Sequence, residues 1–324
     1  MIISYCPSSA GLERREVAAG EPLPSTSVWI DMVQPTHEEQ LAAEKLMGAE
    51  IPTREEIASI ETSARLYDEP GAIVMTGLLP MAARTPDPEL SSVTFVLSSK
   101  RLVTVRYGDP QSIVICGRKV QKDATIPHTG PAVFFTLMEI IIDRSADVME
   151  EASRHFDEMS FRVFEEGITA RKGSVYQEAI KTQGRIGLQV AKMHDVCASL
   201  SRLLLFLDSH GRKVSLSDEQ YLTCKSFGRD IHSIKEHGDA LDNKLSFLLD
   251  ATIGLVNLEQ NQIIKVFSVL GVIFLPPTLI ASIYGMNFIN MPELKWHLGF
   301  VFSIALMFAS VAMTYFFLRW KKLL

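Results

Sequence analysis

"VIFLPPTLIASIYGMNFINMPELKW" runs from Val272 to Trp296. It begins as an apolar run suited to hydrocarbon and then breaks into Gly285, Met286 and Asn287. A helix in a bilayer satisfies its backbone polar groups internally, because lipid offers them no partner. A glycine and a bare carboxamide at the end of such a helix therefore ask for a reason. The answer depends on which face of the helix each residue occupies.

Outward from this stretch the chain divides sharply. From Val266 to Leu318 the only acidic or basic side chains are Glu293, Lys295 and His297, whereas before about Lys265 charges are frequent and no apolar run is long enough to span. Two spans follow, about Val266–Tyr284 and Leu298–Leu318. As a helix the second reaches roughly 31 Å, about the thickness of a bilayer core. Arg319, Lys321 and Lys322 put the C-terminus in the cytosol by the positive-inside rule, and a pair of spans returns the N-terminus to the same side. The N-terminus has neither the charged start nor the apolar core of a signal peptide. The expectation is a multi-pass protein of the cell's inner membrane, in contact with the lipid bilayer, with both termini cytoplasmic.

Composition removes several function classes. A formal net charge of −6 speaks against a nucleic-acid partner. Cys6, Cys116, Cys197 and Cys224 are scattered, which suits a reducing compartment and gives no zinc cage. No Walker, GxGxxG, GxSxG or HExxH pattern occurs, and the histidines do not cluster. Neither an enzyme nor a nucleotide-driven pump is expected.

The soluble part reads as two regions. Residues 1–125 form an α+β cytosolic domain, with strands expected at "SVWIDM" (27–32), "AIVMTGLL" (72–79), "SVTFVLS" (92–98) and "RLVTVRY" (101–107). "PTHEEQLAAEKLMG" carries a helix start and a glycine stop. "PTREEIASIE" has the Thr53–Glu56 capping-box pattern, and "RTPDPE" (84–89) reads as a turn. Residues 126–265 form a region of long stalk helices, with expected helices at Ala132 to about Gly167 and roughly Gly173–Asp208. A third helix continues into the first span. Its positions 227, 231, 234, 238, 241, 245, 248, 252 and 255 step alternately by four and three and are mostly apolar, the pattern of a coiled-coil seam or a bundle face. Residues 266–324 are the transmembrane hairpin.

A second stripe with the same spacing answers the opening question. It reads Asp250, Gly254, Asn257, Asn261, Ile264, Ser268, Gly271, Leu275, Thr278, Ser282 and Gly285. Only Ile264 and Leu275 are large and apolar. Within the first span every serine and threonine (Ser268, Thr278, Ser282), and the one glycine, lies on this stripe. Small residues let transmembrane helices approach closely, and that reading stands beside another in which the stripe faces a water-filled path. Asp250, Asn257, Asn261 and Asn287 favour the path, since close packing needs neither an acid nor a row of carboxamides. Two spans cannot enclose a pore, so several copies would have to surround an axis as a cyclic homo-oligomer, with the second span outside. Asn287 would then recur once per subunit at the outer mouth. A ring of carboxamides and carbonyls can hydrogen-bond the water shell of a dication that dehydrates reluctantly.

"YGMNF" (284–288), "MPEL" (291–294) and the preceding "EQNQIIKVFSVLGVIFLPPT" (259–278) resemble the CorA magnesium transporter family. "WIDMVQPTHEE" (29–39) and "IETSARLYDE" (60–69) are similar to that family's cytosolic domain, so the resemblance covers nearly the whole chain. It implies a funnel-shaped homopentamer that moves hydrated Mg²⁺ into the cytosol and closes when cytosolic Mg²⁺ is high. It makes Gly285, Met286 and Asn287 the selectivity motif. Asn261, Ile264, Leu275 and Thr278 fall on its pore-lining positions, and Asp250 on an acid tied to magnesium sensing. One departure is that Ile289 stands where an acid often follows the loop's phenylalanine, leaving Glu293 as the loop's only carboxylate. The alternatives are a Co²⁺, Ni²⁺ or Zn²⁺ transporter of the same architecture and a membrane-anchored coiled-coil tether. Against the former, the stripe offers no thiol or imidazole. A tether would tolerate Ala, Val or Leu along the stripe and at Asn287.

Overall fold

The computed structural model describes residues 1–18, 20–59, 66–81, 89–165, 172–286 and 296–321. The chain forms two compact units, Met1–Leu249 and Asp250–Leu324.

The first unit is built on one seven-stranded sheet with the order β2-β1-β3-β7-β6-β5-β4. Its strands are β1 (Ile2–Ser8), β2 (Gly11–Val17), β3 (Trp29–Val33), β4 (Leu66–Glu69), β5 (Ala72–Pro80), β6 (Leu90–Ser98) and β7 (Leu102–Arg106). Every neighbouring pair is antiparallel except β3 and β7, which run parallel at the centre. The strands read from β-branched and aromatic runs are present as β3, β5, β6 and β7. β1, β2 and β4 were not among them. β2, "GLERREV", exposes a run of charged residues, so no apolar alternation announces it. β4 is four residues long and carries two acids. Gly11 opens β2 at φ 137°, and a Cβ there would stand 2.6 Å from the Val120 carbonyl. Both the backbone angle and the space require glycine.

The helices begin where their caps direct. In α1 (His37–Met47) the Thr36 hydroxyl accepts from the Glu39 amide while the Glu39 carboxylate accepts from the Thr36 amide, and Gly48 closes the helix in a left-handed conformation. In α2 (Arg54–Ser59) Thr53 and Glu56 form the expected reciprocal pair at 2.8 and 3.3 Å. These bonds from Thr53 hold the Glu56 carboxyl below its ordinary pKa. α3 (Gln111–Lys122) lacks a side-chain cap, and that missing start signal is why it went unread in the sequence. α4 (Gly130–Glu165) and α5 (Lys172–His210) match the two long helices expected. The turn expected at 84–89 lies outside the described residues apart from Glu89.

Alternation of side chains divides the unit into two layers of core. On one sheet face Ile30, Met32, Val103 and Val105 join Ala43, Ala49 and Ile51 around α1. On the other, Phe95 meets Phe134 of α4 edge-to-face at 5.6 Å, and the Leu78 amide donates to the Ser199 hydroxyl of α5. α6 (Asp218–Tyr284) is a single 67-residue helix. In the first unit its four-three seam is a bundle face, with Ile231, Ile234, Leu241, Leu245 and Leu248 all buried. The Gln183 amide donates to the Leu245 carbonyl across this face, and a Cβ at Gly238 would press on the His194 ring at 3.0 Å.

The sheet's centre holds a buried ion pair. Arg106 and Asp31 have side chains 6% and 1% exposed, joined through Nε and Nη2 at 3.0–3.1 Å, with Thr104 donating to the same carboxylate at 2.8 Å. Removing one partner strands the other charge away from water. Arg106→Met is therefore expected to cost about 3–5 kcal/mol in denaturant unfolding, and Asp31→Leu with Arg106→Met to recover most of it. Equal loss in the single and double variants would contradict this account of the pair.

Candidate functional site

The second unit contains the membrane-facing part of α6 and α7 (Gly299–Trp320). Both helices are long and apolar enough to cross a bilayer. Each carries its hydroxyls in a particular place.

On α6 the stripe from Asp250 to Gly285 is exposed at every position in the single chain, including the two bulky apolar members, Ile264 and Leu275. The partly covered residues of the span are Val269, Ile273, Pro276, Pro277, Ile280 and Tyr284. At about 100° per residue their mean direction lies roughly 170° from that of the stripe's membrane portion. Whatever one chain covers on this helix, it covers on the side opposite the stripe. The small residues Ser268, Gly271, Thr278 and Ser282 are thus not the contact face of the chain's own hairpin. That removes close packing within the chain from the explanations of the stripe.

The hydroxyl geometry adds a chemical detail. Thr278 Oγ1 donates to the Phe274 carbonyl at 2.7 Å, so its proton is committed to the helix. The exposed oxygen keeps its lone pairs outward, where it can accept hydrogen bonds from the water shell of a cation. Pro276 and Pro277 lie immediately before it, inside the helix. They remove two backbone donors, leaving the Val272 and Ile273 carbonyls without their usual partners.

The helix ends where the motif begins. Tyr284 is the last helical residue, the Gly285 amide still donates to Ala281 at 2.9 Å, and the Met286 amide turns back to Ile283 at 3.2 Å. A Cβ at Gly285 would sit 3.1 Å from the Ala281 carbonyl, closer than a side chain comfortably stands. Asn287, Ile289 and Glu293 lie outside the described residues. Asn257, Asn261 and Asp250 are exposed on the stripe, and among the described residues no three His, Cys, Asp or Glu side chains gather as metal ligands.

α7 has a pattern that sequence reading passed over. Its less exposed residues, Gly299, Ser303, Ile304, Met307, Ser310, Val311, Thr314 and Leu318, recur at helical spacing, and its serine and threonine hydroxyls lie among them. Each hydroxyl donates to a carbonyl of its own helix, Ser303 to Phe300, Ser310 to Met307 and Thr314 to Ser310. They are satisfied there without water. The serine and threonine hydroxyls of α7 are therefore sheltered while those of the α6 stripe are open.

Comparison with known proteins bears on the family of the chain. A family model described as "CorA-like Mg2+ transporter protein" matches residues 24–321. The chain is 33% identical over 311 residues to the magnesium transport protein CorA of Escherichia coli K12, covering 96% of each chain. It is 32% identical to that of Salmonella typhimurium over the same length. Its fold is similar to the complete structure of the CorA magnesium transporter from Methanocaldococcus jannaschii, with a TM-score of 0.74 at 16% identity over 98% of this chain and 97% of that one. By a match over most of its length and by relatives at this level of identity, the chain belongs to the CorA-like Mg²⁺ transporter family, whose members are ion transporters and not enzymes.

Proposed function

We propose that several copies of this chain surround an axis with the α6 stripe turned toward it, and that the pore so formed passes hydrated Mg²⁺ into the cytosol. The observation that carries the reading is the stripe itself, polar, exposed and opposite the covered face of the same helix. A homopentamer is the assembly that the family resemblance implies. Asn257, Asn261, Ser268, Gly271, Thr278 and Ser282 line the path, and Gly285, Met286 and Asn287 form the outer filter. Residues 1–125 and 126–265 stand in the cytosol, both termini lie on that side, and the membrane is the inner one.

The driving force is electrical. A dication gains about 4.6 kcal/mol for each 100 mV of potential, twice the single-charge figure. The lining suits an ion that keeps its water, because it presents hydroxyl oxygens and carboxamides and no thiolate or imidazole. Co²⁺ or Ni²⁺ could travel the same way as hydrates. Mg²⁺ uptake into liposomes holding a dye, with Co²⁺, Ni²⁺ and Zn²⁺ as competitors, tests both points. Zn²⁺ uptake that Mg²⁺ does not inhibit would assign a different cargo.

Ile264 and Leu275 are the bulky apolar members of the stripe, and in a ring of copies they form constrictions that expel water when narrow. Leu275→Ser and Ile264→Gly are expected to raise basal leak under closing Mg²⁺ concentrations by about ten-fold, on the scale of a ~1.4 kcal/mol lower barrier. If both variants remain as tight as the native protein in the same liposome assay, the gate lies at other residues.

A further inference from the structure

The soluble unit contains a crevice that ion conduction does not use. β3 and β7 are the only parallel neighbours in the sheet. After β3 the chain crosses to α1 on one sheet face; after β7 it goes to α3, on the opposite face with Tyr5. Parallel strands whose connections leave to opposite sides open a crevice beyond their carboxyl ends, the usual ligand position in open α/β sheets. Such a crevice, of about 630 Å³, opens here between α3 and the ends of these strands. That volume is in the range of small-molecule sites.

Its lining has the chemistry of an anion site. Arg14, Arg106 and Arg118 face it, against the carboxylates of Asp31 and Asp109. Arg106 is fixed by Asp31 on its Nε and Nη2 side, while Nη1 bonds Asp109 at 2.6 Å and the Gly108 carbonyl at 3.0 Å. Asp109 is 76% exposed, so it holds Nη1 from the solvent side and can be displaced. Two more features fit. Gln34, at the end of β3, takes φ 44°, a conformation that costs a non-glycine residue and recurs at ligand sites. Gly117 clears the wall, because a Cβ there would stand 2.4 Å from the Tyr5 hydroxyl. Burial pushes the Tyr5 pKa up to about 12, so that hydroxyl stays neutral beside an anion.

We propose that this crevice binds a small organic phosphate, whose phosphate group replaces the Asp109 carboxylate on Arg106 Nη1 and is clasped at the rim by Arg118 and Arg14. Arginine is the side chain suited to this, since its fork pairs with two phosphate oxygens at once. The volume exceeds what inorganic phosphate needs, which leaves room for a sugar-sized body. This site does not depend on the transport reading, because it lies wholly in the first unit.

Calorimetric titration of the full-length protein in detergent, without Mg²⁺, tests it with ribose 5-phosphate as probe and sodium sulfate at matched ionic strength as control. Saturable binding is expected, weakened about ten-fold in Arg118→Ala and tightened about three-fold in Asp109→Ala, where the competing carboxylate is gone. Both substitutions are at exposed positions, so folding is retained. The opposite signs distinguish a displaced carboxylate from a merely structural one. No saturable heat up to about 10 mM probe, equal heat from sulfate, or weaker binding in Asp109→Ala would each overturn the proposal.

Discussion

Asn287→Ala is expected to lower Mg²⁺ flux at least about a hundred-fold in liposomes while leaving assembly unchanged, the scale of removing ~2.7 kcal/mol of stabilisation at the rate-limiting point. Asn287 follows Gly285 by two residues in the sequence, beyond Tyr284, the last residue of α6, so assembly is expected to tolerate the change. In a ring it recurs once per subunit, and truncating it deletes every copy together. In the proposed filter a hydrated dication would then meet methyl groups in place of hydrogen-bonding oxygens, and neither its charge nor its water shell would be compensated. Asn287→Asp separates two roles. It keeps an oxygen and adds charge, so it should trap the ion and slow passage without abolishing binding. Native flux in a correctly assembled Asn287→Ala protein would remove the residue from the filter, and together with a silent Ser/Thr stripe would favour the tether.

Asp250→Lys is expected to abolish the dependence of stalk protection on Mg²⁺. Asp250 is exposed, lies on the stripe, and is 25 positions before Leu275, roughly 38 Å along a helix. Around an axis its copies would repel one another. An ion bound between them would remove that repulsion and favour the closed arrangement, which is preferential binding to one state and so shifts the population toward it. Protease resistance of the native protein should rise with Mg²⁺ along a saturable curve. A lysine supplies its own positive charge, so the variant should show no Mg²⁺-dependent change. An unaltered midpoint in Asp250→Lys would exclude Asp250 from the sensor and leave the nearby acids Glu236, Asp239 and Asp242 as candidates.

The membrane half was legible because lipid leaves the chain few options. A span must be a helix, so period alone assigned each residue of 266–284 to a face, and the stripe of Ser268, Gly271, Thr278 and Ser282 could be read without coordinates. Gly285 stands out by its place directly after that helix, and the family resemblance is what makes Gly285, Met286 and Asn287 a candidate selectivity motif. The capping signals of Thr36 and Thr53 were equally local and acted as their spacing required. β2 and β4 escaped because edge strands with charged faces lack the alternation that marks a half-buried strand, and what forms them is pairing with a neighbour.

What the sequence alone determined is the strands β3, β5, β6 and β7, the capped and the long helices, the two apolar spans and the polar face of α6, because each follows from capping or periodicity within a short segment. Whether the four-three seam of α6 was a coiled coil between chains or a bundle face within one was decided only by tertiary structure, where Ile231, Leu241 and Leu248 are buried within the single chain. The same holds for the side of the span that one chain covers, and for the meeting of Asp31 with Arg106 seventy-five residues on. These facts depend on which distant segments pack together, and no local period records them.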